Sequence, residues 1–314
     1  RMPQILKDIS SQLTKMKDVI IIGGGPAGMS AALYLRRSNK SVLILEKENF
    51  GGQIANSPKV ENFPTQKMLS GLELSDLMFS QISDLGVDFE LEDALSVEKI
   101  DDHFKVKTNY NEYECKALIV ANGCSHRLLG LPKEDKFIGN GISFCALCDG
   151  PMYKGEETFV IGDANTALQY ALELSNYCSK VHLLTLFDKF FADKVLIDRV
   201  LAKENIEIRH NLNLLEYLGE EKLEGLLFEN TIDKSHVEFK TNNVFVCIGQ
   251  IPNNEFLKDL VELEKGYIIV NGKMETKTPG LFACGDTTKK EVRQVISACA
   301  DGATAAITAV KYLG

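Results

Sequence analysis

A strand, a glycine turn and a helix that occur twice along the chain predict an α/β protein. It reads as two Rossmann-like, three-layer dinucleotide-binding domains, the second inserted in the first. Three observations carry this. The first is Val19-Ile20-Ile21-Ile22 running into Gly23-Gly24-Gly25-Pro26-Ala27-Gly28. The second is Thr158-Phe159-Val160-Ile161 running into Gly162-Asp163-Ala164-Asn165. Third, the next strands keep register: Val42 stands 19 residues after Gly23, and Val181 stands 19 after Gly162.

In the first unit an apolar, β-branched strand feeds the Gly23-x-Gly25-x-x-Gly28 turn. The glycines permit a tight reversal, close approach of backbone to a pyrophosphate and close helix–strand packing. Ala31 to Arg37 continues as a helix, whose N-terminus offers free N–H groups to phosphates. The strand Val42–Leu45 ends in Glu46, which can accept hydrogen bonds from a ribose hydroxyl pair. Phe104–Thr108 and Cys115–Ala121 read as strands that complete the sheet layers. Asn122-Gly123 and Gly249-Gln250 are glycine-containing crossings. They bound a discontinuous first domain, 1–122 with 251–314, and a middle domain, 123–250; paired crossings beside glycine suit a hinge. Ile5, Leu6, Ile9, Leu13 and Met16 fall on one face of an N-terminal helix.

The second unit has lost most of what a dinucleotide needs. Ala164 stands at the second glycine position, so a Cβ points where pyrophosphate would approach, and Asp163 adds negative charge beside it. Thr185 occupies the place of Glu46, followed by Leu186 and Phe187. There is neither an acid for a plain ribose nor an arginine for a 2′-phosphate. Phe187, Phe190 and Phe191 are expected to fill the vacated groove.

Between the units lies Phe144-Cys145-Ala146-Leu147-Cys148-Asp149-Gly150. Cysteines at this spacing close a small disulfide and often carry a lowered thiol pKa. A structural zinc site would need four ligands, usually two such pairs, and no second pair exists. An inert disulfide is the other alternative. Asp149 is either a proton donor and acceptor for the dithiol or a solvated turn residue.

With Gly51-Gly52-Gln53, Val60-Glu61-Asn62-Phe63-Pro64, Ala121-Asn122-Gly123, Ile248-Gly249-Gln250-Ile251-Pro252-Asn253, Gly285-Asp286 and Arg293-Gln294-Val295, the motifs run in order over nearly the whole chain. In this the chain resembles the low-molecular-weight flavin thioredoxin reductases. The resemblance implies the glutathione/thioredoxin reductase type of domain pair, a homodimer and bound FAD. Gly23, Gly25, Pro26, Ala27, Gly28, Glu46 and Lys47 would hold its adenosine diphosphate half. Gly52, Gln53, Asn62 and Ala121 would line the cofactor. Gly285 and Asp286 would bind the ribityl or pyrophosphate region, and Arg293, Gln294 and Val295 would sit near the isoalloxazine. Cys148 would face the flavin, Cys145 would attack the disulfide of thioredoxin, and Asp149 would serve as acid–base partner.

The NADPH-dependent members carry a full glycine turn and a His-Arg-Arg run where this chain has Thr185-Leu186-Phe187, and a further Arg where it has Phe191. Losing three charge-assisted contacts removes at least about 4 kcal/mol, roughly a thousandfold in affinity. The pattern is that of the ferredoxin-dependent branch. Ferredoxin near −400 mV and thioredoxin near −270 mV leave a drop of roughly 130 mV, about 6 kcal/mol for two electrons. Alternatives are a dithiol oxidase passing electrons to O₂, an enzyme with a second FAD, and an NADPH-dependent reductase with an atypical nucleotide site. A flavin-bound binding protein without activity is a different class, and the intact dithiol argues against it.

The 314 residues are 45% hydrophobic and 25% charged, ordinary for a soluble protein, with no apolar run long enough for a membrane span. Most of the six cysteines outside the pair sit in apolar segments and read as buried reduced thiols, which fits a cytoplasmic protein. A net charge of −9 argues against nucleic acid as a partner. It also requires a local basic patch for an acidic ferredoxin. Lys289, Lys290 and Arg293, or Arg36, Arg37 and Lys40, are the candidates.

Overall fold

A computed structural model describes residues 16–57, 60, 62–64 and 67–314. The expected N-terminal helix lies almost wholly outside these residues. The chain divides into two compact units: residues 1–55, 63–125 and 251–314, and residues 56–62 with 126–250. The short segment 56–62 therefore groups with the second unit, a feature that no sequence pattern marks.

The first unit begins with β1 (Lys17–Ile22), α1 (Pro26–Arg37) and β2 (Val42–Glu46). The helix α2 (Gly71–Asp84) follows, with Ser70 and Glu73 forming a reciprocal N-terminal cap. Then come β3 (Asp88–Leu91), β4 (Ala94–Ile100), β5 (His103–Thr108) and β6 (Glu112–Val120). Strands β3, β2, β1 and β6 lie side by side and parallel, so Val19–Ile21 and Leu43–Ile44 are covered on both faces and fully buried. The first half of β6 pairs antiparallel with β5, and β5 with β4.

In the second unit, β7 (Ile142–Ser143) leads into the short helix α3 (Ala146–Asp149). Next are β8 (Glu157–Ile161), α4 (Asn165–Leu174), β9 (Lys180–Leu184), α5 (Lys194–Leu201) and β10 (Ile206–Arg209). A three-stranded antiparallel layer follows, β11 (Leu212–Leu218), β12 (Gly225–Asn230) and β13 (His236–Lys240), before β14 (Val244–Val246) returns to the parallel sheet. That sheet runs β10-β9-β8-β14-β7. The chain then re-enters the first unit, where β15 (Leu281–Ala283) pairs with the second half of β6 and α6 (Val295–Leu313) packs on α1.

The repeat holds at the level of hydrogen-bond register. Val19 pairs with Val42 in the first unit, and Thr158 pairs with Val181 in the second, so both partners shift by 139 residues. The helices that follow begin at Pro26 and Asn165, the same offset.

Candidate active site

The first turn is built from positions where a side chain has no room. Gly23 has φ +109°, and a Cβ there would run into the Ala121 carbonyl. At Gly28 a Cβ would strike the Gly23 carbonyl, so the close contact of helix and strand depends on glycine. Gly25 differs: a Cβ would meet nothing nearer than the Gly51 carbonyl at 4.0 Å, so the space beside it is open to a ligand. Gly25 also caps α1, with Pro26 in the first turn and Ala27 buried behind it. The Glu46 carboxylate accepts the Gly24 N–H at 2.6 Å and the Glu48 N–H at 2.9 Å, fixing its position at the end of β2. A cavity of about 330 Å³ opens beside it, lined by Gly23, Glu46, Lys47, Ala94, Leu95 and Asn122.

Farther along, Gly52 and Gln53 begin a 3-10 turn, and the Gln53 amide donates to the Cys124 carbonyl. Ala121 is buried and donates its N–H to Ile22. Gly285 (φ +76°) and Asp286 form a turn after β15, while Gln294 caps α6 and Val295 is its first residue. The Arg293 guanidinium lies 4.6 Å from the centre of the Tyr267 ring. Asn62 is exposed and sits on the segment that groups with the second unit.

Whether these residues suit FAD can be tested on unsatisfied polar atoms, since buried ones are normally paired. Four buried side-chain atoms among the described residues have no hydrogen-bond partner. Three of them, Asn122 Oδ1, Asp286 Oδ1 and Arg293 Nε, belong to this site. Burial raises the Asp286 carboxyl above its usual range against the pull of Lys290 and Arg293. Burial also pushes the nearby Cys124 thiol up to about 11, which favours the protonated form at neutral pH. Two acceptors, a donor and an open glycine cradle fit the hydroxyl-rich, anionic body of FAD. Sequence reasoning gave Asn122, within the Ala121-Asn122-Gly123 motif, no cofactor role and passed over Asn254. The buried Asn254 amide accepts from the Thr287 hydroxyl at 2.8 Å and donates to the Gly266 carbonyl at 2.9 Å. The consecutive asparagines at 253–254 were the available signal.

In the second unit Cys145 and Cys148 form a disulfide, Cα atoms 5.3 Å apart, both partly exposed. Cys145 caps α3: its Sγ accepts the Cys148 N–H at 3.2 Å. Tyr170 donates to the Phe144 carbonyl at 3.1 Å and Tyr177 to the Ala146 carbonyl at 3.3 Å, which fixes both sides of the motif. Phe144 stacks on His126, rings 4.3 Å apart, and burial lowers that histidine to about 4, leaving it neutral. Asp149 is buried, not a solvated turn residue. Its carboxylate accepts from Ser143 Oγ at 2.6 Å and Ser57 Oγ at 3.5 Å, and Ser143 Oγ accepts the Cys145 N–H at 3.1 Å. Burial raises the Asp149 carboxyl above its ordinary value. A buried carboxyl whose pKa is raised thus lies one serine away from the backbone of Cys145. No group of His, Cys, Asp or Glu suited to a metal ion occurs among the described residues.

At the second turn Ala164 caps α4 where Gly25 caps α1. Thr185 is fully buried, its hydroxyl held by the Phe187 carbonyl and His210 Nδ1, both at 2.7 Å. Two expectations need correcting. Phe187 and Phe191 do not fill a groove: they are 48% and 55% exposed and meet edge to face, while only Phe190 turns inward. The patch of Lys289, Lys290 and Arg293 is not a free basic surface either. Lys289 pairs with Glu264 at 2.5 Å and Lys290 with Asp301 at 2.7 Å. Arg36 and Lys40 donate to the carbonyls of Leu85 and Gly314, at 2.9 Å each.

A profile of the family described as "Pyridine nucleotide-disulphide oxidoreductase" matches residues 17–302. The "34.2 kDa protein in rubredoxin operon" of Clostridium pasteurianum is 38% identical over 304 residues, covering 96% of this chain and 98% of that protein. The thioredoxin reductase of Bacillus subtilis (strain 168) is 37% identical over 95% of each chain. Among solved structures, the thioredoxin reductase of Streptococcus pyogenes MGAS5005 superimposes with a TM-score of 0.90 at 35% identity, covering 95% of this chain and 98% of that one.

Proposed function

Because the chain belongs to the thioredoxin reductase family of pyridine nucleotide-disulphide oxidoreductases, which are FAD-binding flavoproteins, we propose that it reduces thioredoxin through Cys145 and Cys148 with reduced ferredoxin as electron donor. When bound, FAD supplies the step between a donor and a disulfide. The glycine turn, Glu46, Asp286 and Arg293–Val295 hold and orient it.

The chain's own residues then carry the thiol chemistry. Two electrons, one from each of two ferredoxins, open the Cys145–Cys148 bond. The Cys145 thiolate, steadied by the Cys148 N–H, attacks one sulfur of the thioredoxin disulfide and expels the other as thiolate. Asp149 delivers a proton to that leaving sulfur. Cys148, protonated from solvent when the disulfide opened, next attacks Cys145 Sγ and passes its proton to the departing sulfur, which re-forms the intramolecular disulfide and releases dithiol thioredoxin. Asp149 regains its proton from solvent.

The observation that carries the donor assignment is the second turn. Ala164 caps α4 as Gly25 caps α1, which supports a methyl in the way of a pyrophosphate, and Thr185 turns its hydroxyl inward. Leu186, Phe187 and Phe191 present apolar surface where nucleotide contacts would be. The rubredoxin operon in the name of the Clostridium pasteurianum relative agrees with a one-electron partner. The family's description favours a second reading, in which a pyridine nucleotide is the donor.

Anaerobic mixing separates the two. Oxidised enzyme is mixed in turn with NADPH, NADH and reduced ferredoxin while the flavin absorbance is followed. Bleaching by ferredoxin alone, reversed by oxidised thioredoxin, is expected. Rapid bleaching by NADPH refutes the ferredoxin assignment, and reduction only by a small dithiol favours an oxidase.

A further inference from the structure

Lys290 sits where two segments assigned to FAD meet. Its side chain is only 16% exposed. The ammonium donates to Asp301 Oδ2 at 2.7 Å and to Ser297 Oγ at 3.5 Å, and lies 3.7 Å from Asp286 Oδ1. The same Asp301 oxygen accepts the Gly285 N–H at 3.2 Å. Ser297 Oγ accepts the Gln294 N–H at 3.1 Å. One cation therefore joins the Gly285–Thr287 turn to the first two turns of α6. We propose that Lys290 is a positioning residue of the FAD site, a role that rests on assigning these two segments to FAD.

The distances explain how it acts. Lys290 directs its short hydrogen bond to Asp301 and only its charge to Asp286, so Asp286 Oδ1 stays open as an acceptor while the ammonium favours the ionised carboxylate against burial. Without the ammonium, Asp286 and Asp301 would repel each other beside one turn, with Arg293 the remaining cation. The turn would shift, and Asp286 would hold its proton to higher pH.

The test is a fluorescence titration of stripped protein with FAD across pH. Lys290→Met is expected to weaken FAD binding at least about tenfold and to move the pH dependence of binding upward, with Lys290→Arg restoring most of the affinity. Asp301→Asn should weaken it similarly, and the double variant no further, since both act through one contact. Lys290→Met affinity within about twofold of the parent, with an unmoved pH profile, overturns the proposal. So do effects that simply add. Should Lys290→Met not fold, Asp301→Asn decides by the same criterion. Asp286→Asn with unchanged affinity would instead overturn the assignment of the turn to FAD.

Discussion

Removing the Ser143 hydroxyl isolates the acid beside the dithiol. Ser143 Oγ donates to Asp149 Oδ2 at 2.6 Å, and this bond favours the ionised carboxylate. A hydrogen bond to a charged group contributes about 1.5–3 kcal/mol, and about 1.4 kcal/mol corresponds to one pKa unit. Ser143→Ala should therefore raise the Asp149 pKa further, making its proton about tenfold to a hundredfold harder to remove. If Asp149 donates the proton to the leaving thiolate, activity falls as pH rises through that pKa. The falling limb must then move to higher pH by the same amount. The assay is rapid mixing of reduced enzyme with oxidised thioredoxin over a pH series. Ser57→Ala, which removes a bond at the 3.5 Å limit, should move the limb much less. A Ser143→Ala profile that superimposes on the parent, or moves to lower pH, would falsify the role given to Asp149.

Asp149→Asn should slow the same step on the order of a hundredfold and abolish the limb, read by the same mixing experiment. At Gly302 a Cβ would strike the Ala27 carbonyl where α1 and α6 touch. Gly302→Ala should cost about 1–3 kcal/mol in urea unfolding and loosen FAD, measured as free flavin after gel filtration. Hydrogen bonds from Lys180 and Arg209 hold the Glu207 carboxyl down at about 2. Glu207→Gln should lower stability above the ordinary glutamate range, and the difference should vanish as pH falls from there through about 2. A loss that persists at pH 2 in urea titrations would point to packing instead.

The sequence made the backbone of both units legible because strand, turn and helix are specified locally. Gly23 and Gly28 announce a conformation, and the register of Val42 and Val181 follows from a fixed strand–helix–strand length. The Cys145/Cys148 pair could be read for the same reason, since α3 itself closes it. Groups that meet only through the tertiary fold were opaque. Lys290 next to Lys289 looks like surface charge until α6 brings Asp301 to it. Ser143 carries no motif, yet it connects the acid to the cysteine backbone. Phe187 and Phe191 were not legible because lost charges suggest an empty groove, whereas both rings stand on the surface, edge to face.

The sulfur of Cys145 caps α3 through the Cys148 amide. An N–H in that place would also stabilise the charged sulfur of the opened pair, since a thiolate accepts more strongly than a disulfide sulfur. A normal cap contributes about 1 kcal/mol, so a turn that kept it on both sides of the redox cycle would need little rebuilding. The enzyme can thus hand its dithiol back and forth while the turn that bears it stays folded. Little driving force goes into reorganisation, and the stronger attraction of a thiolate for the amide favours the charge at the outer cysteine.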